Sequence, residues 1–308
     1  MDFPDFYHPE RVGQLYVPDS ATAILAGRSL GIHPASEAKV RTILVLVDMQ
    51  VDFVHTDGAL SVPGAVDDTR RVIEWIFHNL AHLTTIAASL DSHVPMSIFF
   101  PTWWVGSDNQ HPKPYTVIRS ADVKAGIWTP LYEPKWSAEY CEQLEGLSRK
   151  ELMIWPYHTL IGTPGHALTP ALYEAIAYHS GARQSQPLFL EKGTIPTTEY
   201  YSMLEPEVKV PDHEMGNLNV SFLDMLAGYQ RIYIAGEAKS HCVLETVRSI
   251  MHYFKDSPPM IDKIRILQDG MSSVVHPTID FDGLANKMFT RFAAQGLHLV
   301  NSSEPIRG

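Results

Sequence analysis

The chain has 308 residues, 45% of them hydrophobic and 19% charged, with a formal net charge of −11 and a pI near 5.7. That balance describes a globular protein with a substantial core, and it argues against nucleic acid or an anionic membrane surface as a partner. Two cysteines, Cys141 and Cys242, make no disulfide framework. No apolar run reaches bilayer length, and the first residues lack a basic or apolar targeting segment. The expected setting is therefore cytoplasmic.

Residues 1–40 carry Pro, Gly and scattered aromatics without sustained periodicity. They read as an arm that lies over the domain or reaches a neighbouring subunit, ahead of a single domain over residues 41–308. Thr42-Ile43-Leu44-Val45-Leu46-Val47 is a continuous apolar run that stops at Asp48, the pattern of a central parallel strand. A helix is predicted over about residues 66–80 and a second strand over 84–89, which runs out into Asp91-Ser92-His93.

Residues 94–155 are aromatic and Pro-rich, with one amphipathic stretch near 138–147. An insertion of this length builds a lid or pocket wall. Cys141 falls on that stretch and is read as structural. Beyond it the spacing predicts helices over about 170–179, 219–226 and 280–295. Strands are predicted over 187–193, 232–235, 264–267 and 297–300. Alternating strands and helices imply right-handed crossovers and a mainly parallel sheet with helices on both faces, a three-layer α/β/α fold with six strands.

In such sheets ligands bind outside the carboxyl ends of the strands. Asp48, Asp91, Lys192 and Cys242 each fall at a predicted strand end. The last of these is the most informative. The strand Ile232-Tyr233-Ile234-Ala235 meets Gly236, and Val243, Val247 and Ile250 then recur at helical spacing. Cys242 therefore sits at or near a helix N-terminus, where backbone N–H groups and the dipole favour a thiolate. Asp91 and His93, two apart on an extended segment, can both reach one ion if the chain bends, and a distant His158 can complete a facial set.

These residues occur in motifs similar to those of the isochorismatase-like cysteine hydrolases, and within them the nicotinamidases. The matching pieces are Val47-Asp48-Met49-Gln50 with Asp52-Phe53, then Asp91-Ser92-His93, and Trp155-Pro156-Tyr157-His158 with Gly162-Thr163-Pro164-Gly165. Glu191-Lys192-Gly193 with Tyr201-Ser202, and Gly236-Glu237-Ala238 through His241-Cys242-Val243, complete the set in family order over roughly residues 40–300. The resemblance implies a six-stranded parallel sheet between helices.

It also implies Cys242 as nucleophile, Asp48 as general acid/base and Lys192 as the third member of a triad. An oxyanion hole would come from the N–H groups of Ala238 and Cys242, beside a cis peptide between Glu237 and Ala238. Asp91, His93 and His158 would hold a divalent metal, zinc first, with iron or manganese as alternatives. Phe53 and Trp155 match positions that sandwich the substrate ring. The implied reaction is hydrolysis of a small carboxamide, nicotinamide to nicotinate and ammonia, by a homo-oligomer.

Relatives commonly carry an apolar residue, a threonine and an acid across the elbow, where this chain has Glu237, Lys239 and Ser240. Glu237 is thus expected to contact a polar or cationic substrate group. Lys239 competes with Lys192 as the cation nearest Cys242, and His111 in the insertion is a further candidate ligand. Two alternatives stand beside the first expectation: a cysteine amidase acting on another small amide or ureide, and a non-catalytic binding or scaffold member of the fold.

Overall fold

The computed structural model describes residues 3–148 and 150–306. Its centre is a six-stranded sheet built from β1 (Thr42–Val47), β2 (Thr85–Asp91), β3 (Leu188–Lys192), β4 (Arg231–Gly236), β5 (Ile264–Leu267) and β6 (His298–Val300). The spatial order is β6-β5-β4-β1-β2-β3, and every pairing is parallel. The predicted strands all form, with ends that differ by a few residues from expectation.

β1 is central, and all six of its residues are buried. Its side chains alternate between two cores. Leu44 and Leu46 join the core beneath α2 (Ala65–His78) and α4 (Pro170–Arg183). Ile43, Val45 and Val47 face α5 (Val220–Ala227), α6 (Leu244–Tyr253) and α7 (Phe281–Ala293). A strand covered on both faces must be apolar at every position, which is why β1 reads as a run rather than an alternation. Among the described residues no helix is long and apolar enough to cross a membrane.

The first forty residues contain a helix that the sequence pattern conceals, α1 (Ser20–Ser29). It lies against α4 at very short range. A Cβ on Gly27 would fall 2.1 Å from the Tyr178 carbonyl oxygen, and one on Gly181 would fall 2.1 Å from that of Ile24. The face that packs is therefore backbone, which leaves no apolar stripe to detect. Glu174 of α4 ties the approach down by accepting from Tyr16 Oη at 2.7 Å and from Asp19 N–H at 2.8 Å.

The segment 94–155 holds two short antiparallel ribbons, Trp104–Gly106 with Trp128–Pro130 and Val117–Ile118 with Leu152–Met153. It also holds α3 (Pro134–Gln143), on which Cys141 is buried. Burial pushes the Cys141 thiol up to about 12, so it is inert at neutral pH.

His179 on α4 is buried, with Nε2 at 3.1 Å from the Leu83 carbonyl oxygen. Burial pushes its pKa down to about 4. The fold holds the ring neutral, so this contribution is complete above about pH 6.5 and is lost as pH falls towards the folded value. Urea denaturation as a function of pH should show stability falling across that window by up to about 3 kcal/mol. His179→Gln should flatten that part of the profile.

Candidate active site

Sheet register brings the first polar groups together. Asp91 pairs with Lys192 across β2 and β3, and Val47 pairs with Gly236 across β1 and β4. Asp48 follows β1 directly, and its φ of 49° is left-handed, uncommon for a residue with a side chain. Ser89 fixes it twice: the Asp48 N–H donates to Ser89 Oγ at 3.1 Å, and the hydroxyl donates to Asp48 Oδ1 at 2.6 Å.

Lys192 is fully buried. Its Nζ lies 2.9 Å from Asp48 Oδ2 and donates to Asp91 Oδ1 and the Tyr200 carbonyl oxygen, each at 2.7 Å. Cys242 Sγ lies 3.7 Å from the same nitrogen. Burial alone would discharge the amine, but Asp48 and Asp91 hold its pKa well above the ordinary value. Asp48 moves upward because its burial outweighs the attraction of Lys192. Its Oδ1 is held by Ser89, and its Oδ2 faces the Lys192 ammonium.

Cys242 sits in a π-helical turn, Lys239–Val243, between β4 and α6. Gly236 at φ 134° starts the elbow, and a Cβ there would lie 2.1 Å from the Val47 carbonyl oxygen. The peptide between Glu237 and Ala238 is cis, as the resemblance implies. The Ala238 N–H donates to no backbone carbonyl among the described residues. The thiol differs from the simple helix-terminus expectation. Burial pushes Cys242 well up, Lys192 pulls it down, and the hydrogen bond to Asp48 raises it again. The thiol form of Cys242 is therefore favoured.

Asp91, His93 and His158 are all buried and bring their ligand atoms within 4.8 Å of one another. His93 Nε2 is 2.9 Å from Asp91 Oδ2, and His158 Nε2 is 3.7 Å from the same oxygen. Each ring's Nδ1 faces a backbone carbonyl, Gly193 at 3.1 Å and Pro156 at 2.8 Å. A carbonyl can only accept, so Nδ1 carries the proton and a neutral ring turns its Nε2 lone pair towards the carboxylate.

Burial pushes the His158 pKa down, so a cation between the lone pairs fits the donors better than added protons. Two imidazoles and a carboxylate suit zinc and similar divalent ions. Burial opposes the Asp91 charge, and the ammonium of Lys192 favours it. Gly193, at φ 78°, leaves room for the cluster: a Cβ there would be 2.7 Å from both Asp91 Oδ1 and the His93 ring.

A cavity of about 30 Å³ connects these groups; Cys242, Asp91, His93, His158, Phe53 and Trp155 are among the residues lining it. Phe53 meets the His158 ring edge-on at 5.5 Å between centroids, and Trp155 Nε1 donates to Glu199 Oε1 at 2.6 Å.

Three expectations take a different form. Glu237 does not line this cavity. Its Oε2 accepts from the Ser272 N–H at 3.2 Å, and burial together with Asp68 raises its pKa well above the ordinary value. It therefore acts as a buried neutral acid behind the elbow. Lys239 pairs with Asp282 on α7 at 2.9 Å, which leaves Lys192 as the cation at the sulfur. His111 is turned to the Trp104 carbonyl oxygen at 2.6 Å, apart from the metal-type cluster.

Sequence reasoning assigns no role to four further contributors. Gln50 Nε2 donates to the carbonyls of Asp91 and His166 while its Oε1 accepts from the Asp91 N–H, each at 2.8 Å. It thereby fixes the metal-type strand end from β1. Glu199, Tyr201 and His241 complete the cavity wall. Gln50, Tyr201 and His241 fall inside the matching motifs without an assigned role, and Glu199 lies two residues before Tyr201.

The sequence matches no family model and no curated protein. Solved structures share the fold. The yeast nicotinamidase bound to the inhibitor nicotinaldehyde aligns with a TM-score of 0.56 at 18% identity, over 84% of this chain and 99% of that one. A nicotinamidase/pyrazinamidase of Acinetobacter baumanii aligns at 0.54 and 17%, over 87% and 98%. The PnC1 protein of L. infantum in complex with nicotinate aligns at 0.53 and 18%, over 87% and 96%.

Replacing Lys192 by Met should leave two buried carboxylates without their shared cation. The expected cost is about 3–5 kcal/mol, measured by urea denaturation. Cys242→Ala removes no charge and should cost far less.

Proposed function

We propose that this chain is a cysteine amidohydrolase that releases ammonia from a small carboxamide, with nicotinamide to nicotinate as the specific reaction. The observation that carries this is the single ammonium of Lys192, 2.9 Å from the carboxylate of Asp48 and 3.7 Å from the sulfur of Cys242.

In this mechanism Asp48 takes the thiol proton as Sγ attacks the carbonyl carbon. Lys192 compensates the negative charge whichever of the two holds it. The N–H groups of Ala238 and Cys242 face the developing oxyanion. The tetrahedral adduct collapses as Asp48 returns the proton to the nitrogen, so ammonia leaves and a thioester remains. Water, deprotonated by Asp48, then attacks the thioester, and the carboxylate product departs as the thiol reforms.

Asp91, His93 and His158 would hold a divalent ion, zinc first. When bound, such an ion supplies a Lewis-acid anchor for a ring nitrogen. Phe53 and Trp155 supply the apolar walls for that ring. Similar structures bound to nicotinaldehyde and to nicotinate support the choice of ring.

Cys242→Ala should lower ammonia release from nicotinamide by at least about 10⁴-fold while circular dichroism stays unchanged. Mass spectrometry of acid-quenched wild-type enzyme should show an acyl adduct on the peptide containing Cys242. Near wild-type turnover by the Ala variant would rule out the thiol mechanism. His93→Ala and His158→Ala should each reduce the metal retained on purification, about 10- to 100-fold in affinity at the least, measured by elemental analysis.

A further inference from the structure

Trp155, Tyr201 and His241 line two cavities at once. On one side is the inner cavity of about 30 Å³ that holds Cys242. On the other is an outer chamber of about 640 Å³ between the 94–155 insertion and the elbow, walled by Val117, Met153 and Phe281 among others. A cavity of about 150 Å³ accommodates a benzene ring, so the inner space takes a ring only if this aromatic partition moves outward. Any substrate ring then borders directly on the outer chamber.

His241 is the polar element of the partition. Its ring lies between Trp155, Tyr201 and Phe281, with centroids at 5.6, 5.3 and 4.8 Å. Ser240 Oγ accepts from the Val274 N–H at 3.1 Å, and His241 Nδ1, at 2.8 Å, is the one acceptor its hydroxyl proton meets among the described residues. Nδ1 is therefore an acceptor, and burial keeps the ring neutral, with its pKa pushed down to about 3. The ring proton sits on Nε2, which has no hydrogen-bond partner among the described residues.

The charged side chains of the outer chamber are already engaged. Arg119 Nε holds Glu151 at 2.6 Å, and Lys150 holds Glu207 at 2.7 Å and Glu245 at 3.2 Å. Glu145 accepts from both the N–H and the hydroxyl of Ser120 at 2.6 Å. What the chamber offers a ligand is aromatic surface, the His241 ring N–H and charged side chains already held in ion pairs.

We propose that the preferred substrates are ring carboxamides bearing, beyond the ring, an uncharged group with a carbonyl-type acceptor that occupies the outer chamber and takes the His241 Nε2–H hydrogen bond. This rests on the amidohydrolase reading above and narrows its substrate class.

The test compares nicotinamide with two derivatives substituted on the ring carbon meta or para to the carboxamide, one carrying acetamido and the other the carbon isostere isobutyl. Ammonia release gives kcat/KM, and calorimetry on Cys242→Ala gives binding without turnover. The acetamido compound should exceed isobutyl about tenfold in both measures, and isobutyl should equal or exceed nicotinamide. His241→Phe should erase the acetamido advantage, chiefly through KM. Ile279→Trp, which fills the chamber, should lower both extended amides relative to nicotinamide, which covers the case in which the His241 variant fails to fold.

Turnover of nicotinamide with no gain for either derivative at either ring position overturns this inference alone. A preference for acetamido that survives His241→Phe overturns the assigned donor. Absence of ammonia from every amide overturns the amidohydrolase reading, and the inference with it.

Discussion

A buried ammonium between two buried carboxylates holds this molecule together at the point where it acts. Lys192 reaches Asp48 from β1 and Asp91 from β2, and it also holds the backbone of Tyr200. Each of these groups would be costly to bury unpaired. Their mutual neutralisation lets three strand ends converge without water. The arrangement still leaves two carboxylates against one ammonium. The residual negative charge lies towards Asp91, where two imidazole lone pairs also point. The electrostatics of the triad and of the ligand set are therefore one problem, joined through the two oxygens of Asp91.

The same cation separates the roles of otherwise similar groups. Asp48 and Asp91 are both buried aspartates, yet the pKa of one rises and that of the other falls. Asp91 faces His93, His158 and Lys192, whereas Asp48 has Lys192 and a serine hydroxyl opposite a thiol. Environment thus favours the protonated form of Asp48 and the charged form of Asp91, the contrast that the proposed proton transfer by Asp48 uses. Cys141 and Cys242 show a parallel contrast. Both are buried, but only Cys242 has a cation and a proton acceptor in reach.

Around this centre the structure divides into a rigid rim and a shaped surround. Gln50, Ser89, Gly193 and Gly236 lock the strand ends by hydrogen bonds or by the absence of a side chain. The surround comes from the 94–155 insertion and α7, which enlarge the space outside the aromatic partition. Glu237 and Asp68 lie behind the elbow, remote from that space. Their burial explains why an acid at the elbow is not by itself a substrate contact.

The six strands and most helices were legible because their side chains obey simple periods. A doubly covered strand such as β1 must be apolar throughout, and an amphipathic helix must repeat near 3.6. Helix α1 escaped because its packing face is glycine and backbone, which leave no apolar stripe. The strand-end positions of Asp48, Asp91, Lys192 and Cys242 were equally legible, since a parallel sheet presents those ends along one edge. Which cation meets the sulfur, where Glu237 turns and what His241 donates were not. Those outcomes depend on register between strands distant in the chain, on competing partners such as Asp282, and on burial that outweighs the pull of a neighbouring cation on a thiol. Sequence by itself determined the sheet and the edge where its reactive groups lie; only the tertiary structure decided which of them touch and in what protonation state, because both depend on neighbours that no local pattern encodes.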